Sequence, residues 1–481
     1  MNRKLLSLIT LLFICSALAA NNSTYNIKEF GAKGDGTTLN TEIIQEAIDA
    51  CHSSGGGMVY IPSGDFLSGT LILKSHVNLH LSSGATLLGS TDLDDYQAIT
   101  PEFLTYAEVN YTDYSLLYAE KAENISISGK GTIDGQGEEE PFQLEGGAAN
   151  YLKRPYMIRM TQCKDVNIRN VTIINSPMWV QNYSACDDLN IHNITVHSTV
   201  NHNNDGIDID GCHNVRISDC NIRSGDDAIV LKSLSPRMCK NVTITNCVLS
   251  SICNAFKLGT ESTGGFQNIV VNNCTMYDTR LSGIALEIVD GGTMDQILIS
   301  SIVMRNVKGG IFIRLGDRAR PYLSRKSTVQ HLPEYEMEEK YANPQPGVVK
   351  NIMIKNIIAT GIGNIGCSLA GLPEHKIENV KLKDISIQYD GGGKEDWVTR
   401  EVPENREGYP EFDMFGPLPA YGFYCRHVKN IELSGLSLSY EEDEERPALY
   451  LEDVENYDMK DLKLSAPQSD YERIIIKESQ K

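Results

Sequence analysis

The chain has 481 residues, 41% of them hydrophobic, with 63 acidic against 43 basic side chains and a net charge of −20. Such a balance repels nucleic acid and anionic membranes and gives no long-range pull toward an acidic polymer, so an acidic ligand needs local basic residues. Beyond the first residues no apolar run is long enough to insert into a membrane, and 40 glycines and 17 prolines announce many turns.

Arg3 and Lys4 precede an apolar run from Leu5 to Leu18 that ends in Ala17-Leu18-Ala19. A charged start, a short apolar stretch and a small-residue cleavage site predict a signal peptide over 1–19, with 20–481 exported as one domain, periplasmic or extracellular. Phe13-Ile14 before Cys15 fits a lipid-attachment site poorly, which argues against a lipoprotein. Twelve cysteines, eleven without Cys15, suggest a disulfide framework in an exported chain until their spacing is considered.

Asn40 is the expected N-cap of a helix with Ile44, Ala47, Ile48 and Cys51 on its apolar face and Gly55-Gly56-Gly57 at its close. That helix is expected to cover the open end of the strands C-terminal to it. A pattern, apolar-x-apolar-x-x-apolar-x-apolar, then recurs along most of the chain. It reads Val166, Ile168, Val171, Ile173, with copies starting at Leu189, Val215, Val242, Ile269 and Ile297, at spacings of 23, 26, 27, 27 and 28. Later copies start at Ile352, Val380, Ile431 and Tyr457, and the two long gaps hide a coil plus an insertion.

Period-2 runs are strands, and the two-residue break in each copy is a corner. A repeat of this length without helical period predicts an all-β solenoid, a parallel β-helix, with the helix as its N-terminal cap. Cys220, Cys247 and Cys274 then stack as a column of buried free thiols. Asn-x-Ser/Thr sequons at Asn124, Asn170, Asn193, Asn241 and Asn273 mostly fall at corners and are read as turn chemistry. Two polar insertions, 317–346 and 391–421, are too long for corners and are expected to be walls or lids.

A further strand lies between successive copies. Five such strands align as rows starting at Asp205, Asp227, Asn254, Ser282 and Gly309. The third and fifth columns are apolar throughout and must face the core, so the alternate columns are expected to face solvent. They carry Asp205, Asp227 and Asn254; Asp208 and Lys257; Asp210, Lys232, Glu287 and Arg314. With rows about 4.8 Å apart, the patch crowds carboxylates, Asp226 included, beside cations. Such carboxylates suit glycosidic cleavage, one protonated for the leaving oxygen and one to activate water, with repulsion raising at least one pKa.

Asn203-Asn204-Asp205-Gly206-Ile207-Asp208, followed by Gly225-Asp226-Asp227, resembles glycoside hydrolase family 28, the polygalacturonases. Asn175-Ser176-Pro177-Met178-Trp179 and the segment from Phe30 to Gly36 resemble it too. The resemblance implies a right-handed β-helix and an inverting hydrolase of pectic chains without a cofactor. It also implies Asp226 as general acid, with Asp205 and Asp227 holding and activating the water. Adjacent rows alone favour a shorter carboxylate separation than the roughly 6.5–9.5 Å of inverting enzymes.

Two departures bear on the substrate. The family's Gly-His-Gly is replaced by Cys253-Asn254-Ala255, and its carboxylate-gripping Arg-x-Lys by Ala285 and Glu287. That argues against plain homogalacturonan and favours a rhamnogalacturonan-type or branched pectic chain. Asn203, Asp208, Lys232, Asn254, Lys257, Glu287 and Arg314 are the candidate substrate-binding residues, with Trp179, Glu261, Asp290, Arg318 and Arg320 as further groove candidates. The competing readings are a lyase with aspartate-held Ca²⁺ and a Lys or Arg base, a sugar epimerase, and a non-catalytic carbohydrate-binding β-helix.

Overall fold

The computed structural model describes residues 24–478 apart from 104, 106–110, 144–151, 323–340 and 342. The expected signal peptide and most of the first insertion lie outside the described residues. Among those described, thirty-two strands join into one parallel ladder system that winds as a β-helix. Each ladder pairs a strand with its counterpart one coil later; Val215, Ile217 and Ser218, for example, pair with Val242, Ile244 and Thr245.

The repeat builds this core as its pattern predicts. Val215, Ile217, Cys220 and Ile222 are all at most 1% exposed, as are Val242, Ile244, Cys247 and Leu249. The two-residue break turns on one left-handed residue: Asn170, Asn193, Asp219, Asn246, Asn273 and Ser301 have φ between 52° and 66°. Asparagine tolerates that conformation better than most side chains and bonds its neighbours locally. The five sequon asparagines all have positive φ, as turn chemistry requires. The copy starting at Tyr457 keeps its corner at Asp461, but Tyr457 itself is 44% exposed and adds nothing to the column.

Cys220, Cys247 and Cys274 stack as buried free thiols, and the described cysteines form no disulfide. Helix α1, Thr41–Ser53, turns Ile44, Ala47, Ile48 and Cys51 inward and covers the first coil. Asn40 stands at its N-cap position without capping it. Its amide instead ties the preceding loop, accepting from Lys33 N at 2.8 Å and donating to Thr38 O at 2.6 Å.

The insertion 391–421 is a fixed wall. Arg446, fully buried against Glu444 at 2.8 Å, donates to the carbonyls of Leu418 and Ala420. Arg400 holds Phe415 O and Pro417 O, both at 2.9 Å, while Val398, Val402, Phe412, Phe415 and Leu418 form a second apolar cluster over the stack.

Candidate active site

The five rows stack in the register laid out from the sequence. Ile207 pairs with Ile229, Ile229 with Phe256, Phe256 with Ile284 and Ile284 with Ile311. Gly206 N donates to Asp227 O at 2.8 Å and Ala228 N to Asn254 O at 2.8 Å, so the row starts follow one another directly. Gly206 has to be glycine: a Cβ there meets Ala228 O at 2.5 Å.

The alternate columns do not face solvent as expected. Asp205, Asp208, Asp227, Lys232, Asn254, Lys257, Glu287 and Arg314 are all at most 6% exposed. They point away from the core, but the 391–421 wall and neighbouring side chains cover them. Asp226 is the one half-buried carboxylate of the aspartate group.

Lys232 Nζ lies 3.4 Å from Asp205 and 3.5 Å from Asp208, with the buried Trp179 ring 4.8 Å away. Trp179 therefore packs on that ammonium and on Tyr111 and Tyr156. Burial pushes Asp205 well above the carboxylate range, reinforced by Asp208 and Asp226. Burial likewise pushes Asp208 up to about 8 despite Lys232. Asp226 is raised by burial and by Asp227, so two of the three expected catalytic aspartates favour the protonated form. The carbonyl of Asp226 accepts from Ser224 and Ser251, each at 2.6 Å, which fixes the corner presenting its carboxyl.

Asp227 accepts from Asn254 twice, from the amide side chain at 2.8 Å and the backbone N–H at 3.1 Å. Lys257 stands 3.8 Å from Asp227, 3.7 Å from Glu287 and 3.0 Å from Glu411. Glu411 and the half-exposed Tyr409, whose ring lies 5.6 Å from Lys257, arrive on the wall. Sequence reasoning named neither. The length of the insertion was the only signal, and it marks a segment without saying which residue reaches the stack.

Other candidates fall outside this group. The Arg314 guanidinium donates to four backbone carbonyls, including Glu404 O at 2.9 Å and Gly371 O at 3.2 Å, and so clamps the wall. Asn203 accepts from Arg154 at 3.2 Å in a corner of φ 54°. Asp210 accepts from Leu234 N at 2.8 Å and is structural. Arg318 lies 2.9 Å from Asp290 and Arg320 3.0 Å from Glu261, so the basic lining expected of them is already matched by acid. These guanidiniums and Lys232 outweigh the cost of burying Glu261 and hold its pKa at about 2.

One carboxylate oxygen each from Asp226 and Asp227 and the Cys253 sulfur lie within 4.8 Å of one another. That set does not fit Ca²⁺, which takes six to eight oxygens. Burial and Asp226 keep the Cys253 thiol protonated, and the Lys257 ammonium already stands 3.8 Å from Asp227.

The profile of Glycosyl hydrolases family 28 matches residues 51–407. A probable polygalacturonase of Vitis vinifera is 36% identical over 232 residues, 45% of this chain and 46% of the relative. An exo-poly-alpha-D-galacturonosidase of Dickeya chrysanthemi is 29% identical over 253 residues, 42% and 41% of the two chains. The chain thus spans less than half the length of these curated relatives. The structure of a hyperthermoactive exopolygalacturonase from Thermotoga maritima superposes with a TM-score of 0.63 at 25% identity, covering 76% of this chain and 87% of that one.

Proposed function

The chain belongs to glycosyl hydrolases family 28, and from that premise we propose that it hydrolyses a glycosidic bond of a pectic chain with inversion. Asp226 serves as general acid, Asp227 takes the proton of the attacking water, and the protonated Asp205 helps to hold that water. The observation that carries this reading is the raised, half-buried Asp226 beside a buried Asp227 that Asn254 and Lys257 hold. One carboxyl is thereby kept protonated for the leaving oxygen while its neighbour is stabilised as an acceptor.

The substrate favoured is a rhamnogalacturonan-type or branched pectic chain, with a neutral sugar over row four. Ala285 there is buried in the apolar cluster beneath the wall, and Glu287 is spent on Lys257 and Thr260. Lys232, Lys257, Arg318 and Arg320 each have a carboxylate within 3.4 Å. A uronate at that point gains little from cations so matched.

Mass spectrometry of products from homogalacturonan and rhamnogalacturonan oligosaccharides tests the reading. Fragments whose masses sum to substrate plus one water, from the rhamnogalacturonan series, are expected. Fragments summing to the substrate alone, one with an unsaturated end, would transfer the site to a lyase. Tight binding without products would make it a carbohydrate-binding β-helix.

A further inference from the structure

Row three carries the buried Asn254, and the wall brings an acid to that point. Phe412 packs so closely on the stack that a Cβ at Gly309 meets its ring at 2.6 Å. Glu411 is thereby fixed beside row three. Its Oε1 accepts from Lys257 Nζ at 3.0 Å, and its Oε2 faces Asn254 Nδ2 at 3.4 Å. These are the same two side chains that hold Asp227, through Asn254 Nδ2 at 2.8 Å and Lys257 Nζ at 3.8 Å. Asn254 is itself oriented by Ser282 N, which donates to its Oδ1 at 2.8 Å. Its amide therefore has its donors directed at the two acids.

We propose that Glu411, though 184 residues away from it in sequence, is a positioning residue for the Asp227 carboxylate, acting through Lys257 and Asn254. The proposal rests on the hydrolase reading for its catalytic consequence but on geometry alone for the coupling. One ammonium faces three carboxylates, those of Asp227, Glu287 and Glu411. The Cys253 thiol also feels the Glu411 charge, and the Tyr409 ring lies 5.6 Å from the same Lys257 ammonium. How much of the Lys257 charge reaches Asp227 depends on how much Glu411 takes. The wall acid therefore shares with Asp227 the ammonium that orients it.

Glu411→Gln preserves shape and removes the charge. Its expected effects are a fall in kcat of about 10- to 100-fold with KM within about twofold, and an acid limb of the pH–rate profile moved to lower pH. The shift has that sign because Lys257 then acts on Asp227 with less competition. Glu411→Asp is expected to recover part of kcat. A parent-like kcat and pH profile in Glu411→Gln, or a change confined to KM, overturns the proposal. A double-mutant cycle of Glu411→Gln with Asp227→Asn, read on the unfolding constant, needs no substrate. A departure from additivity of about threefold or more supports the coupling, and an additive cycle refutes it. If the parent hydrolyses no pectic chain, the hydrolase reading fails and the cycle still decides the coupling.

Discussion

Asp208 is 0% exposed, neither carboxylate oxygen has a hydrogen-bond partner among the described residues, and Lys232 stands 3.5 Å away. Burial wins over that ammonium and pushes the carboxyl up to about 8. The fold therefore keeps a proton that the unfolded chain releases near 3.8, the ordinary aspartate value. A carboxyl with a raised folded pKa costs stability as pH climbs: nothing below about 4, more through the interval, and a constant amount above about 8. Asp208→Asn is isosteric with the protonated acid and removes the cost. Its melting temperature should match the parent near pH 4 and exceed it by about 2–5 °C at pH 8. Thermal unfolding at pH 4, 6 and 8 measures the gap. A gap that stays flat would mean that Lys232 holds Asp208 ionised in the fold.

The corner is the element that sets the coil, and its chemistry is separable into backbone and side chain. Asn246 sits at φ 57°, donates to Asp219 at 3.2 Å and accepts from Asn273 at 2.7 Å across neighbouring coils. Asn246→Ala loses the bonds and also forces a Cβ-bearing residue with no local hydrogen bond into the left-handed region, at about 1–2 kcal/mol. Asn246→Gly loses only the exposed bonds, so less than half that cost is expected in urea unfolding. Equal losses would assign the corner's stability to the asparagine ladder instead. This element was legible beforehand because both its signals are local: strand alternation fixed the row register through Ile207, Ile229 and Phe256, and the break fixed the turns. What covers the rows was not legible. Alternation tells which way Lys257 points from the core, but Glu411 comes from 154 residues away, and no pattern encodes that approach. Arg314 was misread for the same reason, since its partners at Glu404 and Asn405 belong to that wall.

Charge is the property that the whole molecule brings to its groove. The chain carries −20, and around the candidate site Asp205, Asp208, Asp226, Asp227, Glu261, Glu287, Asp290 and Glu411 outnumber Lys232, Lys257, Arg318 and Arg320. Those four cations are matched at contact distance, so none of them offers an unpaired positive charge at the site. A polyuronate approaching this surface is repelled until short-range contacts form. The Debye length falls from about 30 Å at 0.01 M salt to about 8 Å at 0.15 M, so salt should remove most of the repulsion and leave the buried pairs nearly unscreened. The kcat/KM for a uronate-rich pectic chain is therefore expected to rise about two- to fivefold over that range. A less acidic, branched oligosaccharide should respond by less than half as much. Steady-state rates at the two salt concentrations measure both. A kcat/KM that falls with salt would point to a cationic subsite gripping the uronate, and would return the substrate to plain homogalacturonan.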